Sequence, residues 1–325
     1  MTLTAWALTT GEAGMRTQAR GLAEAVADEV VEKVLSRTGT FSWPRLSMEI
    51  ESLTPPWPDV LISCGRRSVA RAVAIRKASG GGTLAVHVQD PRIDPSAFDL
   101  VIAMDHDRIA AGPNVIKVAT ALHDLTEANL AEAAALWSDR FSRLGRPLIG
   151  VMIGGDANRR RFTVADGRRL LEGISRLRAA TGGGLAITPS RRTPDAVRSM
   201  FAEVLGRDPR VFLWDMEGLN PYRGILALSD RLVVTGDSVS MVSEAVSAPA
   251  PVEVFDLALA RHAGFLRRLE VAGLVRRFTG DPAPLAAPPP VNATVQAAAA
   301  VRGLLLQRAL AGPVGPVGPG PAIPR

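Results

Sequence analysis

Short, continuously apolar runs recur along this chain, and each ends at a glycine or a polar turn. Asp59 to Ser63 (DVLIS) stops just before Gly65, and Leu148 to Ile153 runs into Gly154-Gly155. Strands that are apolar at every position, rather than at alternate positions, are typical of parallel sheets buried on both faces. The chain is therefore predicted to be an α/β protein.

The predicted elements fall into two series of alternating strands and helices. Strands are predicted at Leu3–Thr9, Asp59–Ser63, Thr83–Val88, Leu100–Met104, Leu148–Ile153, Leu185–Thr188, Val211–Trp214, Arg231–Thr235 and Val252–Phe255. Helices are predicted at Met15–Ser36, Ser68–Ala78, Glu127–Leu144, Val164–Ala180, Pro194–Leu205 and Met241–Val246. This alternation predicts two doubly wound, Rossmann-like parallel-sheet domains facing a cleft.

Breaks in the pattern suggest the domain limits. Gly145-Arg146-Pro147 ends the first series, so we expect domains at residues 1–145 and 146–280. Residues 281–325 are predicted to be an Ala/Pro-rich linker, one helix over Ala293–Leu310 capped by Asn292, and a disordered Gly/Pro tail. We expect that helix to pack back on the N-terminal domain.

Composition excludes several classes of protein. The net charge is +6, but it comes from arginines spread along the chain, and no basic stripe is interleaved with aromatic residues, so no nucleic-acid partner is expected. A lone cysteine, Cys64, forbids an internal disulfide and suits a reducing compartment. No run of 18 apolar residues and no secretory signal pattern occur, which predicts a cytoplasmic protein and leaves peripheral membrane contact open.

Two common catalytic signatures are also missing. None of the three lysines follows a glycine, which excludes the phosphate loop of ordinary nucleotide triphosphatases. The four histidines are widely spaced and form no H-E-x-x-H motif, so no metal site is predicted.

Polar residues follow nearly every predicted strand, where ligands bind in open parallel sheets. In the first domain, these residues include Glu12, Asp90, Asp105 and His106. In the second domain, they are Gly154, Gly155, Asp156, Ser190, Arg191, Arg192, Thr193, Gly236, Asp237 and Ser238. Each alone is more simply explained as a turn or helix cap, but together they favour a site.

The most informative segment is VTGDSVSMVSEA at 234–245. It predicts a strand that passes through Gly236-Asp237-Ser238 into a helix carrying Ser240 and Glu244. Free amides at the helix N-terminus and the neighbouring hydroxyls suit a diphosphate, and Glu244 suits the hydroxyls of a ribose. The alternative is an ordinary cap made by Asp237 or Ser238, with Glu244 in solvent.

Several phrases, in order, resemble the mitochondrial-fission ELM-like family, whose bacterial members were once labelled nucleoside-diphosphate-sugar epimerases. They are TTGEAGMRTQARGLAEA at 9–25, LISCGRRS at 61–68, VQDPR at 88–92, MDHD at 104–107, IGGD at 153–156, TPSRRTP at 188–194 and LNPYRGILALSDRLVVTGDSVSMVSEA at 219–245. The chain has neither a G-x-G-x-x-G fingerprint nor a Tyr-x-x-x-Lys pair, which argues against the epimerase label.

This family resembles the two-domain GT-B glycosyltransferases, whose C-terminal domain holds a nucleotide-sugar donor and whose N-terminal domain holds the acceptor. The resemblance implies donor contacts from Ser238, Ser240 and Glu244. Val239 and Val242 depart from the pattern, since glycine and a hydroxyl often stand there, and this weakens the sugar contacts more than the ribose contact.

The resemblance also implies chemistry without a cofactor or a bound metal, because helix amides and basic side chains can neutralise the leaving diphosphate. Arg191 and Arg192, aided by Ser190 and Thr193, are expected in that role. The run Arg159-Arg160-Arg161 is the alternative. Asp90, Glu12 and His106 are the candidates for the catalytic base that activates an acceptor hydroxyl.

Three functions remain open at this stage. The leading one is a metal-independent GT-B-type glycosyltransferase that uses a nucleotide-diphosphate sugar as donor, with an envelope glycan or a lipid as acceptor. The second is a non-catalytic, partner-binding protein of the same fold, as the plant mitochondrial fission factor suggests. The third is a serine hydrolase, since Gly236 to Ser240 nearly matches G-x-S-x-G, but only His262 follows to complete a triad.

Overall fold

The computed structural model describes residues 2–37, 48–49, 53–156, 161–257 and 260–311. The chain forms two compact units, unit 1 from Met1–Asp124 and Asn292–Arg325, and unit 2 from Leu125–Val291. These divisions differ from the expected ones at 145 and 280. Helix α3 (Glu127–Ser142) lies in unit 2, where its Trp137 packs against Gly224 so closely that a Cβ on that glycine would lie 2.4 Å from the indole ring.

Unit 1 is built on a six-stranded parallel sheet in the order β2-β1-β5-β6-β7-β8. Its strands are β1 (Thr4–Thr9), β2 (Glu29–Val34), β5 (Val60–Cys64), β6 (Leu84–Val88), β7 (Leu100–Met104) and β8 (Val115–Val118). The short strands β3 (Ser36–Arg37) and β4 (Met48–Glu49) pair antiparallel in a separate two-stranded sheet. Its helices are α1 (Ala13–Val26), α2 (Val69–Ala78) and α9 (Ala293–Ala311).

Both faces of this sheet are covered, which explains why its strands do not alternate. Ala7 and Ile62 belong to a core cluster shared with α1 and α9. Their chain neighbours Leu8 and Leu61 belong to a second cluster on the opposite face, shared with α2. Successive residues of the central strands therefore meet helices on opposite faces, which explains why these strands are mostly apolar at consecutive positions.

The predicted helix Met15–Ser36 is wrong in its second half. Helix α1 ends at Val26, and Glu29–Val34 forms the edge strand β2, paired with β1. The Asp28 carboxylate accepts a hydrogen bond from the Leu3 amide at 2.8 Å, and the Asp28 amide donates to the Leu3 carbonyl at 2.9 Å. This tertiary contact outweighs the helical propensity of the segment, whose valines also suit a strand.

The C-terminal helix packs on unit 1, as expected. Ala293, Ala297 and Val301 are fully or almost fully buried in the cluster that α9 shares with α1. Asn292 caps the helix, because its side-chain oxygen accepts from the amides of Thr294 at 3.0 Å and Val295 at 3.3 Å. The predicted disordered tail at 312–325 lies outside the described residues.

Unit 2 is built on a second six-stranded parallel sheet, in the order β11-β10-β9-β12-β13-β14. Its strands are β9 (Leu148–Ile153), β10 (Gly184–Pro189), β11 (Val211–Leu213), β12 (Arg231–Thr235), β13 (Val252–Phe255) and β14 (Arg276–Arg277). Besides α3, its helices are α4 (Val164–Thr181), α5 (Asp195–Leu205), α6 (Tyr222–Leu228), α7 (Val239–Val246) and α8 (Ala260–Val271).

The order of these strands creates a topological switch point. From β9 the chain builds outward through β10 to β11, then returns to place β12 on the other side of β9. Loops that leave β9 and β12 therefore diverge, and ligands of open α/β sheets bind where such loops diverge at the carboxyl ends of the strands. In unit 1, the corresponding point lies between β1 and β5.

Helices also cover both faces of the second sheet. Helices α4 and α5 bury Leu170, Ile174 and Phe201 against β9 and β10 in one cluster. Helix α6 approaches β9 on the other face at Gly150, where a Cβ would lie 2.6 Å from the Ile225 side chain. The predicted fold class, two doubly wound Rossmann-like domains, is confirmed. Among the described helices, none is long and apolar enough to cross a membrane.

One polar pair is buried inside unit 1. Ser63 and His87 lie opposite each other on β5 and β6, with Ser63 Oγ 2.8 Å from His87 Nδ1. The His87 ring stacks on Phe98, with 4.9 Å between the ring centroids, and its Nε2 has no hydrogen-bond partner among the described residues. Burial away from water lowers the pKa of His87 from 6.5 to about 4. Since the unfolded chain binds a proton at a higher pH, stability must fall as the pH drops from about 6.5 towards 4.

We expect the substitution His87→Leu to flatten the pH dependence of stability. The free energy of unfolding, measured by urea titration, should differ between pH 7 and pH 5 by about 2 kcal/mol less in the variant than in the wild type. Phe98→Leu is the control, because it removes packing beside the same ring without removing a proton site. It should lower stability at both pH values equally. An unchanged pH dependence in His87→Leu would contradict the assignment.

Helix α9 offers a matched pair of substitutions. Ala297 is 0% exposed, whereas Ala299 lies on the exposed side of the helix. Ala297→Glu should therefore destabilise unit 1 by about 3 kcal/mol or more, since it buries a charge without a partner. Ala299→Glu should change the melting temperature little. Equal melting temperatures of the two variants would show that α9 does not pack as described.

Candidate functional site

Three loops meet at the switch point of unit 2. They are Gly154–Asp156 after β9, Ser190–Thr193 after β10 and Gly236–Ser238 after β12. Strand β9 lies between β10 and β12, so its loop is central. The structure brings together the predicted residues of all three loops.

The Asp237 carboxylate joins these loops. Its side chain is 1% exposed, and its Oδ2 accepts hydrogen bonds from the Gly155 amide and from Arg192 Nη2, each at 3.0 Å. Its Oδ1 has no hydrogen-bond partner in the described part of the chain. The residue predicted as a ligand contact or a cap therefore also holds the site together.

Gly154 and Gly155 are needed because other groups approach them closely. A Cβ on Gly154 would lie 2.2 Å from Asp237 Oδ1, and a Cβ on Gly155 would lie 1.9 Å from the Arg192 carbonyl oxygen. Real Cβ atoms do not approach other atoms so closely. The two glycines thus allow the central loop to pass between the other two.

The guanidinium of Arg192 binds other groups of the site. Besides its ion pair with Asp237, its Nη1 donates to the Asp156 carbonyl at 3.0 Å, and its own carbonyl accepts from the Asp156 amide at 3.0 Å. The loop is closed by Thr193, whose hydroxyl donates to the Ile153 carbonyl at 3.1 Å and accepts from the Ser190 amide at 2.9 Å.

Arg191 differs from its neighbour. It is exposed, and the described residues give its guanidinium no hydrogen-bond or ion-pair partner. It is therefore the arginine of this pair that remains available for an anion. The competing run of arginines lies mostly outside the described residues, which include only Arg161 of the three.

Helix α7 starts beside Asp237. Ser238 is its N-cap, and the Ser238 hydroxyl accepts a hydrogen bond from the Met241 amide at 3.3 Å. Ser240 lies half-buried in the first turn, where backbone amides have no partner within the helix. This end of the helix carries a partial positive charge that suits an anion.

Glu244 lies in the second turn of α7 and is half-buried. The Tyr222 hydroxyl, at the start of α6, donates a hydrogen bond to Glu244 Oε2. Sequence reasoning did not select Tyr222 for the site. Its only signal was that the chain contains a single tyrosine.

A cavity of about 700 Å³ lies in unit 2 between α5 and β11. Thr193 and Pro189 line it next to the Ser190–Thr193 loop, and Phe212, Trp214 and Asp215 line it at the end of β11. The cavity therefore combines aromatic walls with polar groups and adjoins the Ser190–Thr193 loop.

The predicted catalytic residues follow strands of unit 1. Glu12 immediately precedes α1 at the switch point of that sheet, where it accepts a hydrogen bond from the Thr10 hydroxyl. Its Oε1 lies 3.7 Å from Arg67 Nη1, and both side chains are exposed. Such an exposed pair contributes little to stability, so Glu12 can change partners readily.

Asp90 follows β6, and its side chain is 11% exposed. Its Oδ1 accepts from the Arg92 amide at 2.9 Å, and its Oδ2 lies 3.2 Å from Arg92 Nε. These bonds agree with a carboxylate that caps its turn. His106 is half-buried in the turn after β7. The three residues follow three different strands, with β5 between those of Glu12 and Asp90.

In the described part of the chain, no three or more His, Cys, Asp or Glu side chains are grouped so that they could hold a metal ion.

Solved structures place the chain in the GT-B-like fold class. The UDP-GlcNAc 2-epimerase of Methanocaldococcus jannaschii matches with a TM-score of 0.59 at 13% identity, covering 94% of this chain and 100% of that one. The putative UDP-N-acetylglucosamine 2-epimerase of Listeria monocytogenes matches with a TM-score of 0.56 at 12% identity, covering 94% and 98%. At such low identity, this likeness shows the fold alone.

The chain belongs to the family described as Mitochondrial fission ELM1, whose model matches residues 13–305. It is 34% identical over 277 residues to the mitochondrial fission protein ELM1 of Arabidopsis thaliana, covering 77% of this chain and 65% of that protein. The chain thus spans just under two thirds of that relative. It is also 25% identical over 262 residues to an uncharacterized protein of Rickettsia prowazekii (strain Madrid E), covering 68% of this chain and 72% of that one.

The close approach at Gly155 predicts the effect of adding one methyl group. Gly155→Ala should lower the free energy of unfolding by about 2 kcal/mol or more, since the Cβ meets backbone atoms that cannot move independently. Gly264→Ala is the control, because nothing lies within 4 Å of a Cβ at that position in α8. Urea titration should show the control to be at least as stable as the wild type. Equal stability of the two variants would contradict the geometry at Gly155.

Proposed function

We propose that the protein binds a nucleoside-diphosphate sugar at the carboxyl edge of the unit 2 sheet and transfers the sugar to an acceptor, as a GT-B-type glycosyltransferase does. One observation carries this proposal. At the switch point, the N-terminus of α7 and the unpaired, exposed Arg191 belong to loops on either side of the Gly154–Gly155 turn.

The diphosphate is assigned to this point. The first-turn amides of α7 supply donors and a partial positive charge, and the hydroxyls of Ser238 and Ser240 lie at the same end. Arg191 adds a planar guanidinium that can donate two parallel hydrogen bonds to phosphate oxygens. Arg192 supports the site indirectly, because Asp237 already neutralises its charge.

The nucleoside is assigned to the neighbouring surfaces. The carboxylate of Glu244 suits the 2′- and 3′-hydroxyls of a ribose, which donate hydrogen bonds. The cavity bounded by Thr193, Phe212 and Trp214 has the volume and the aromatic walls to hold a base. A solved structure of similar fold supports this ligand class, since the UDP-GlcNAc 2-epimerase of Neisseria meningitidis is bound to UDP-GlcNAc.

In the proposed reaction, an acceptor hydroxyl oxygen bonds to the anomeric carbon of the sugar. The bond between that carbon and the diphosphate oxygen breaks, and its electron pair leaves with the nucleoside diphosphate. Helix amides and Arg191 stabilise the charge on the leaving group, so the proposed chemistry requires neither a metal nor another cofactor. The acceptor proton goes to a base, for which Glu12, Asp90 and His106 stay the candidates predicted from the sequence.

Two substitutions separate the diphosphate contact from the ribose contact. Arg191→Ala should weaken the binding of a nucleoside diphosphate by about 30-fold or more, because it removes a charge-assisted contact. It should leave the corresponding nucleoside unaffected. Glu244→Ala should weaken both ligands by about 5-fold to 150-fold, the usual range when buried donors are left unpaired. Isothermal titration with UDP, GDP, ADP, CMP and their nucleosides measures these effects.

The matched control is Arg207→Ala, which removes another exposed arginine of unit 2 beyond the end of α5. It should bind each nucleotide as the wild type does. If the wild-type protein binds no nucleotide at millimolar concentration, the transferase proposal is wrong.

The second candidate function is partner binding without catalysis, and the named plant relative favours it. That relative is a mitochondrial fission protein. Under this proposal, the GT-B-like fold serves as a surface for another protein. Nucleotide binding without any release of sugar or transfer to an acceptor would support it over the transferase.

A further inference from the structure

Tyr222 is the only tyrosine in the chain, and it contacts a residue of the proposed site. Its hydroxyl donates to Glu244 Oε2, across a separation of 22 residues in sequence. Both side chains are half-buried. The contact joins the first residue of α6 to the second turn of α7.

The fold holds both ends of this contact. Helix α6 cannot shift easily, because Gly224 packs against Trp137 of α3 and Ile225 packs over Gly150 of β9. The Tyr222 amide donates to Asn220 Oδ1 at 3.0 Å, which fixes the start of the helix. On the other side, α7 buries Val242 and its neighbours against the sheet.

We propose that Tyr222 is a positioning residue of the nucleotide site, whose hydroxyl holds the Glu244 carboxylate in the orientation that accepts the ribose hydroxyls. This inference rests on the proposed function. A carboxylate has about four acceptor positions, so the hydrogen bond from the phenol does not by itself exclude a ribose. Removing the phenol takes away one contact that orders the Glu244 side chain, so ribose binding would have to order it further at an entropic cost.

The proposal differs from a purely structural role in one measurable way. If Tyr222 acts through Glu244 on the ribose, removing its hydroxyl matters only when the ligand has ribose hydroxyls. If the hydroxyl merely stabilises the contact between α6 and α7, its loss affects every ligand equally, or affects stability alone.

The test is isothermal titration of Tyr222→Phe with the nucleoside diphosphate that the wild type binds most tightly and with its 2′,3′-dideoxy form. We expect about 5-fold to 10-fold weaker binding of the ribose nucleotide, on the order of the net contribution of one hydrogen bond. The dideoxy nucleotide should bind Tyr222→Phe as it binds the wild type. In Glu244→Gln, the further substitution Tyr222→Phe should cause a much smaller loss, because the two residues act as a pair.

Ser229→Ala is the matched control. It also removes a hydroxyl from the region of α6, one that donates to the Ile225 carbonyl at 2.6 Å, and it should leave the affinity unchanged. Equal weakening of both nucleotides by Tyr222→Phe, or no weakening of the ribose nucleotide, overturns this inference alone. The absence of nucleotide binding by the wild type overturns the proposed function, and this inference with it.

Discussion

The buried carboxylate of Asp237 is the interaction on which the candidate site depends. Moving a carboxylate out of water is unfavourable unless charges and donors replace the lost hydration. Here a guanidinium and one backbone amide bind Oδ2, while Oδ1 has no partner among the described residues. An unsatisfied buried oxygen costs about 1–3 kcal/mol, so the rest of the fold must offset this arrangement. Such costs are characteristic of functional sites rather than of cores.

The buried position of this carboxylate also requires the two glycines beside it. Asp237 can approach the central loop only because Gly154 has no side chain, and Arg192 can cross that loop only because Gly155 has none. The two glycines are therefore needed because they let other groups approach the backbone closely, and not because of their conformational freedom. The loops after β9, β10 and β12 are therefore linked by these contacts, and a substitution at any of these residues should disturb the positions of the others.

Sequence alone predicted most of the fold because burial on both faces leaves a direct signal. Core strand β9 is apolar at every position and β12 at its three central positions, and the predicted and observed bounds of both strands agree. The signal fails at the sheet edges, where β2 and β8 are only partly buried. Strand β2 was predicted as helix because the contact between Asp28 and Leu3 that turns the chain is not visible in local sequence. Helices α6 and α8 were not predicted either.

The position of the candidate site was predicted from the sequence, but the hydrogen bonds and the ion pair between its residues were not. The rule that ligands bind at the carboxyl ends of strands selected Gly154, Ser190 and Asp237 without knowledge of their contacts. It did not distinguish Arg191 from Arg192, because that distinction depends on an ion pair with Asp237, 45 residues further along the chain. For the same reason it did not select Tyr222, whose role depends on Glu244 lying beside it in space.

The contacts between the site residues help to distinguish catalysis from partner binding. Arg192, Asp237 and the two glycines are used to hold the loops, and a protein that kept this fold only as a surface for partners would still require them. Arg191 has no such use, since the described residues give it no partner. The Tyr222–Glu244 pair likewise places a carboxylate in the second turn of a helix whose N-terminus suits an anion. Stability of the loops does not explain Arg191, so the two proposals differ in what they require of this residue, and only the transferase proposal gives it a role.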